Sequence, residues 1–450
     1  MKRRKFIKTS AVGSAAFATS GLFVFNQAAS KEADLSKYCF QSERNIPIAY
    51  KVDIVVIGGS TAGVAAAVSA AQNGATVFLA AQEPYLGEDI CGNYRFWAND
   101  KGALQTELAK KIFGGGLPTP LHVKNVLDNE LINNNIDFLY SSYVTDILLD
   151  GNNQPAGVVI SNRSGRQAVV AKVIIDATPR AMVARMATPG FMKYPAGKQR
   201  FKFVVVGNDK KSGSNFSARE MPEPIHVDGN TYKALDYTID IEMKDGSWAS
   251  FAEAEQQIRG LTWDANQVDS SDLIFQVPPD YMSGQKRWSK PEVDEEAINL
   301  KVFKPRKIEN IFVLNGCADL SREAASNLLQ PGGLIRIGER IGTEAAIIAS
   351  NTPELKTPHV PGKPGESILK GDVGELLEGL RPSRNIGTLK AKETTLPILA
   401  EYDVVVMGGG TSGAPAGLGA ARKGAKTLVL DYMHGLGGVG TLGMIGRYYH

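Results

Sequence analysis

Apolar positions fall into a few kinds of run along this chain, and their spacing predicts its elements. Residues 52–57 (Val-Asp-Ile-Val-Val-Ile) form a nearly continuous apolar stretch, the pattern of a strand covered on both faces. A glycine turn follows, then an alanine-rich helix over about residues 61–73, closed by Gly74 just past its end. Residues 76–81 read as the next strand, which makes a β-α-β unit. Further on, "IDFLYSS", "VTDILLDGNNQPAGVVISN" and "RQAVVAKVIIDATP" read as consecutive strands, with turn signals at Gly151-Asn152-Asn153 and Ser164-Gly165. Residues 191–300 change character: mixed polar strands, three of the four tryptophans and few long helical patterns. They read as an inserted cap or substrate region. Residues 301–351 return to an apolar strand, a loop and a long helix. Residues 352–400 are rich in Pro, Gly and Lys and read as a linker, with one short helix over 373–380.

The opening pattern then comes back. "DIVVIGGSTAGVAAAVSAAQNGATVFLAAQEPYLG" begins at Asp53 and "DVVVMGGGTSGAPAGLGAARKGAKTLVLDYMHGLG" at Asp403, with 14 of 35 positions identical and no gap. An internal repeat of a whole β-α-β unit is far beyond what a chance glycine loop gives. The expected fold is therefore α/β: a Rossmann-like FAD/NAD(P)-binding parallel sheet with an inserted β-rich cap, plus the first β-α-β unit of a second such domain.

Each glycine of G-x-G-x-x-G has a steric task. The first makes the tight turn, the second admits the pyrophosphate to the backbone, and the third lets helix and strand pack closely. The phosphates rest on the free N–H groups at the helix start, and an acid at the end of the second strand takes the ribose hydroxyls. The second copy has every part: Gly408, Gly410, Gly413 and Asp431. The first keeps Gly58 and Gly63 but has Ser60 for the middle glycine and Ala81 for the strand-end acid. The Ser60 side chain is expected to project towards the pyrophosphate, and Glu83 would have to reach back to the ribose. The first site thus reads as weak or degenerate, and the second as the cofactor site.

Both copies resemble flavin-dependent oxidoreductases of the group of heterodisulfide-reductase-like and fumarate-reductase-type flavoproteins. The resemblance covers residues 50–350 once and 401–450 again, and it implies FAD as cofactor. A second flavin-contacting motif of that group, A-T-G after a strand, is matched by Asp176-Ala177-Thr178-Pro179, with proline for the glycine. A third is matched by residues 311–346, with Asn315-Gly316-Cys317-Ala318-Asp319 at its turn. In that group "GLGGVGTLG" leads towards the flavin ring, so Arg447 and His450 after it are candidates to polarise a substrate or take a proton. His434 lies near the expected crevice and reads as a loop residue, and the aromatics of "NYRFW" (93–97) as core. Cys91 and Cys317 fall in loops that converge on the strand ends in this fold, and a disulfide between them is expected.

Composition narrows the remaining choices. With 450 residues and 43% apolar side chains the chain can bury a large core. Its net charge of +3 is owed to Lys2, Arg3, Arg4, Lys5 and Lys8, so no nucleic-acid surface is indicated. Those residues precede about fifteen weakly apolar ones, short for a membrane span. Residues 1–30 read as a signal peptide whose Arg3-Arg4 pair resembles a twin-arginine motif, addressing the protein to the bacterial periplasm or beyond. The three cysteines and five histidines show no metal-ligand spacing. The expected domains are then 45–190 and 301–351 (FAD-binding-like Rossmann domain), 191–300 (cap), 352–400 (linker) and 401–450. The last reads as a truncated start of a second FAD-binding domain, since one β-α-β unit does not cover both faces of a sheet.

The expected function is an exported FAD-dependent oxidoreductase that moves a hydride from a small organic or carbohydrate-like substrate to flavin. Its expected partners are that substrate and the twin-arginine export machinery. The alternative is a non-catalytic flavoprotein-like scaffold or binding module attached to a catalytic FAD domain. An NAD-dependent dehydrogenase fits less well, because the A-T-x strand motif and the cap favour flavin.

Overall fold

In a computed structural model of the chain, residues 38–98, 105–207, 209–227, 229–362, 370–371, 387–398, 400–431, 433, 435–443 and 445 are described. The chain begins with β1 (Tyr38–Gln41), β2 (Arg44–Ile57), α1 (Thr61–Gln72) and β3 (Val77–Ala80). There follow α2 (Glu107–Phe113), α3 (Pro120–Asn133), β4 (Asp137–Leu139), β5 (Tyr143–Leu149), β6 (Pro155–Asn162), β7 (Gly165–Asp176) and α4 (Met182–Ala187). The last four residues of β2 are wholly buried, as the continuous apolar run requires.

Strand β7 sets the architecture. Along one edge it pairs in parallel with β2, which pairs in parallel with β3, and β3 with β4. Its other edge is shared. The first half pairs antiparallel with β6, which pairs with β5. The second half pairs in parallel with β14 (Ile311–Val313), reached after the cap. One strand thus belongs to an antiparallel meander and to the parallel dinucleotide-type sheet. Helices α6 (Arg322–Leu328) and α7 (Ile335–Asn351) follow β14, and α7 lies on α1.

The cap is a second sheet, β8 (Gly197–Val206), β9 (Phe216–Glu220), β12 (Ala234–Met243) and β13 (Asp269–Ser270), in the order β13-β8-β12-β9. A short hairpin, β10 (Ile225–Val227) and β11 (Asn230–Tyr232), lies between β9 and β12. Phe201, Phe203, Leu235, Tyr237 and Ile239 make its core with Ala254 and Ile258 of α5 (Trp248–Thr262). That fifteen-residue helix was not legible as a helical pattern. Its buried stripe is a single row at i, i+4 (Ser250, Ala254, Ile258, Thr262), flanked by charges.

The stretch read as a linker also differs from expectation. Among its described residues are β15 (Lys370–Gly371), β16 (Thr388–Ala391) and β17 (Thr394–Pro397). β16 pairs antiparallel with the start of β2 and buries Leu389 and Ala391, while β15 and β17 flank β1. The reason is the edge that β2 presents before it enters the parallel sheet, which a short alternating strand can cover. The helix expected at 373–380 lies outside the described residues, as do residues 1–30.

The second β-α-β unit is β18 (Val404–Met407), α8 (Gly413–Arg422) and β19 (Thr427–Leu430). It repeats the strand register of the first. Val404 pairs with Thr427 and Met407 with Leu430, as Ile54 pairs with Val77 and Ile57 with Ala80. Gly408 N–H donates to Leu430 O at 2.7 Å, as Gly58 N–H does to Ala80 O at 2.9 Å. In the structure this unit presents Val405, Met407, Leu418 and Leu430 to solvent.

Candidate functional site

The first glycine turn joins β2 to α1 under the loop that follows β7. Gly58 has φ +110°, and a Cβ there would sit 2.5 Å from Ala177 O, so only glycine lets the two loops close. Gly63 fills its expected role, since a Cβ there would lie 2.7 Å from Gly58 O. Ser60 is the N-cap of α1, its hydroxyl oxygen accepting from Gly63 N–H at 3.1 Å. The cap puts the Ser60 side chain at the helix start, on one of the amides a pyrophosphate would use.

One amide a phosphate would use is engaged by an acid of the chain itself, and another by Ser60. Thr61 N–H donates to Asp89 Oδ1 at 2.9 Å and the Thr61 hydroxyl to Asp89 Oδ2 at 2.5 Å. Glu88 Oε2 lies against the Gly59 backbone without a hydrogen-bond partner, 3.1 Å from where a Gly59 Cβ would be. Burial pushes the Glu88 carboxyl well above its usual range, and the neighbouring Asp89 charge adds to this. Burial also raises Asp89, while the two bonds from Thr61 oppose it. With Ala81 at the strand end, the adenosine half of FAD does not fit this turn.

Beside it lies a cavity of about 630 Å³ between the sheet ends and the cap. Ser60, Glu83, Asp89, Pro179 and Asn315 face it from the sheet, and Trp248, Phe251 and Phe275 from the cap side. Its polar walls are braced. Arg95 donates to Leu329 O at 2.5 Å and Gln330 Oε1 at 3.0 Å and stacks on Phe275 at 4.0 Å. Arg180 pairs with buried Asp280 at 2.8 Å. The Asp176-Ala177-Thr178-Pro179 motif is tied down from within. Buried Asp176 accepts from Thr178 N–H, the Thr178 hydroxyl and Ala184 N–H at 3.1, 2.7 and 2.9 Å. Asn315 Nδ2 donates to Thr178 O at 2.7 Å, linking the second and third motifs at the ends of β7 and β14.

The second turn is built on the same backbone with different side chains. A Cβ on Gly413 would overlap Gly408 O, while one on Gly410 would meet nothing within 4 Å, so the turn is bare where a pyrophosphate would approach. Among the described residues no side chain caps α8, and Thr411 and Ser412 at its start are exposed. Asp431 closes β19, its carboxylate accepting from Gly409 N–H and, at 2.8 Å, from Met433 N–H. These residues fit the ADP half of FAD: a helix start for the phosphates and a strand-end acid for the ribose.

Other expected residues fare differently. Cys91 and Cys317 are both free and buried, which corrects the expected disulfide. Cys91 Sγ turns to Pro120 O at 3.7 Å on α3, and Cys317 Sγ lies 3.7 Å from Arg185 beyond β14, so each thiol faces a different wall. Burial pushes both thiols up, to about 12 and about 11. Tyr94, Phe96 and Trp97 are core, as expected. Arg447, His450 and His434 lie outside the described residues. Among the described residues no group of acids, histidines and cysteines could hold a metal ion, and no helix is long and apolar enough to cross a membrane.

The sequence signature described as FAD dependent oxidoreductase matches residues 53–200 and 403–450. Both matches begin at the aspartate ahead of a glycine turn, and together they span less than half of the chain. Both stretches are similar to FAD-dependent oxidoreductases, enzymes whose cofactor is FAD. No curated protein matches the chain significantly. Among solved structures, CabE, an aromatic hydroxylase from angucycline biosynthesis, is 14% identical with a TM-score of 0.40, covering 67% of this chain and 63% of that one. A geranylgeranyl bacteriochlorophyll reductase-like protein from Thermoplasma acidophilum is 14% identical (TM-score 0.41, 67% and 78% covered). The p-nitrophenol 4-monooxygenase PnpA from Pseudomonas putida DLL-E4 is 13% identical (TM-score 0.41, 68% and 82% covered). The chain spans less than two thirds of the length of CabE.

Proposed function

We propose that the chain is an FAD-dependent oxidoreductase and holds the ADP half of FAD on its second glycine turn. Gly408, Gly410 and Gly413 shape the cradle, the amides at the start of α8 receive the phosphates, and Asp431 takes the ribose hydroxyls. The observation that carries this is the contrast between the two turns: the second leaves its helix start uncapped, whereas the first has Asp89 on it. When bound, FAD supplies two-electron chemistry, accepting a hydride from an activated C–H of a small organic or carbohydrate-like substrate. Arg447 and His450 are proposed to orient that substrate and hold its proton. The resemblance to heterodisulfide-reductase-like and fumarate-reductase-type flavoproteins belongs to this proposal. Purified full-length protein is expected to show flavin absorbance, with FAD released on denaturation. A colourless, folded protein without affinity for added FAD sinks the reading. It favours the first unit as a non-catalytic binding module, a role supported by the braced cavity under the cap.

We also propose export by the twin-arginine route, from Arg3-Arg4 ahead of the weakly apolar segment. Changing both arginines to lysine is expected to hold the precursor in the cytoplasm. Unchanged export of that variant excludes the route.

A further inference from the structure

The loop after β3 carries two adjacent acids, and both turn into the first glycine turn. Asp89 receives the Thr61 amide and hydroxyl, and Glu88 packs against Gly59. The matching loop of the second copy is held in the same place: Gly87 N–H donates to Gly59 O at 2.7 Å, and Gly437 N–H to Gly409 O at 2.9 Å. The side chains differ, and so does the turn that follows, π-helical over Glu88–Gly92 and 3-10 over Gly438–Gly440. At the spacing of the repeat, Glu88 corresponds to Gly438 and Asp89 to Val439. Gly438 packs on the second turn so closely that a Cβ there would sit 3.0 Å from Gly410 Cα. Valine offers the helix start no charge and no acceptor.

We propose that Asp89 is an internal anion seated in the phosphate subsite of the first glycine turn, the residue that excludes nucleotides from that site. The positive end of a helix favours one anion, and here a carboxylate already satisfies it with two hydrogen bonds. An incoming pyrophosphate must either displace that carboxylate from Thr61 or lie against it in a buried place, where like charges repel strongly. The Glu88 carboxyl, with an oxygen unpartnered at Gly59, fills the space next to it. With Asp89 in place Thr61 is 2% exposed, so a pyrophosphate reaches its amide only by moving that carboxylate.

The inference rests on the reading that FAD is not held on the first turn, and ADP binding at that turn tests it apart from the second. ADP is titrated calorimetrically into the full chain and into a Glu88→Gly/Asp89→Val variant, which copies the second loop. The variant is expected to bind one more equivalent of ADP than the wild type, or to gain about tenfold or more in affinity at an added site. Equal binding by a variant that melts as the wild type does overturns the proposal. Hydrogen exchange of the wild-type amides over residues 58–64, with and without ADP, is a second test that needs no variant. No added protection is expected, and protection of these amides by ADP overturns the proposal.

Discussion

Gly342→Val is expected to destabilise the protein by at least about 3 kcal/mol, more than an ordinary overpacking substitution, because the group in its way is backbone. Helices α1 and α7 touch through their main chains. A Cβ on Gly338 would sit 2.5 Å from Ala62 O, and one on Gly342 would overlap Ala66 O and come within 3.0 Å of Ala70 N. Ala62, Ala66 and Ala70 form the facing stripe, all buried. Ser69 locks the crossing by donating to Glu339 O at 2.7 Å. A valine cannot be taken up by a rotamer change, so the helices must part and α1 must lift from β2 and β3. At roughly 2–4 °C per kcal/mol for a large domain, the thermal midpoint should fall by about 10 °C. Gly260→Ala is the control: nothing lies within 4 Å of a Cβ there, and alanine favours the helix, so its midpoint should stay level or rise. A Gly342→Val protein melting with the wild type contradicts the close crossing.

Much of this arrangement was legible because it rests on local rules. The buried run of β2, the glycine after α1 and the repeat at Asp403 follow from period, cap and identity, and the two units share a register strand for strand. The capping role of Ser60 was also within reach, since serine directly before an alanine-rich helix is a start signal in its own right. What escaped were long-range partners. Asp89 lies 28 residues from Thr61, in a π-helical turn over Glu88–Gly92, and a pair of acids in a loop reads as a solvated surface. Its one signal was comparative: the repeat sets Gly438 and Val439 opposite Glu88 and Asp89. The strands of the linker region were hidden by proline and glycine around them, although Leu389 and Ala391 alternate with exposed neighbours as an edge strand should. The free thiols show the same limit. Convergence of two loops on one sheet end does not fix the direction of two side chains, and Cys91 and Cys317 turn to different walls.

Gly413→Ala is expected to cost the protein its flavin. In the second turn a Cβ at this position overlaps Gly408 O, and its next neighbours are Gly408 C at 2.9 Å and the Val406 side chain. Gly408 cannot retreat, because its amide is bonded to Leu430 O and its φ of +92° is already one that glycine alone takes readily. The first turn of α8 must therefore move away from β18, and the amides intended for the pyrophosphate move with it. A shift of this kind in a charge-assisted cradle costs roughly 1.5–3 kcal/mol per lost bond, so FAD affinity should fall more than about tenfold. Asp431→Ala removes the ribose acceptor without touching the turn and is expected to weaken binding less. Glu83→Ala, at the first turn, should leave the flavin content unchanged. Flavin absorbance per chain, measured after gel filtration at fixed added FAD, ranks the three. If Glu83→Ala strips the flavin while Gly413→Ala and Asp431→Ala keep it, the cofactor sits on the first turn and the assignment to the second is wrong.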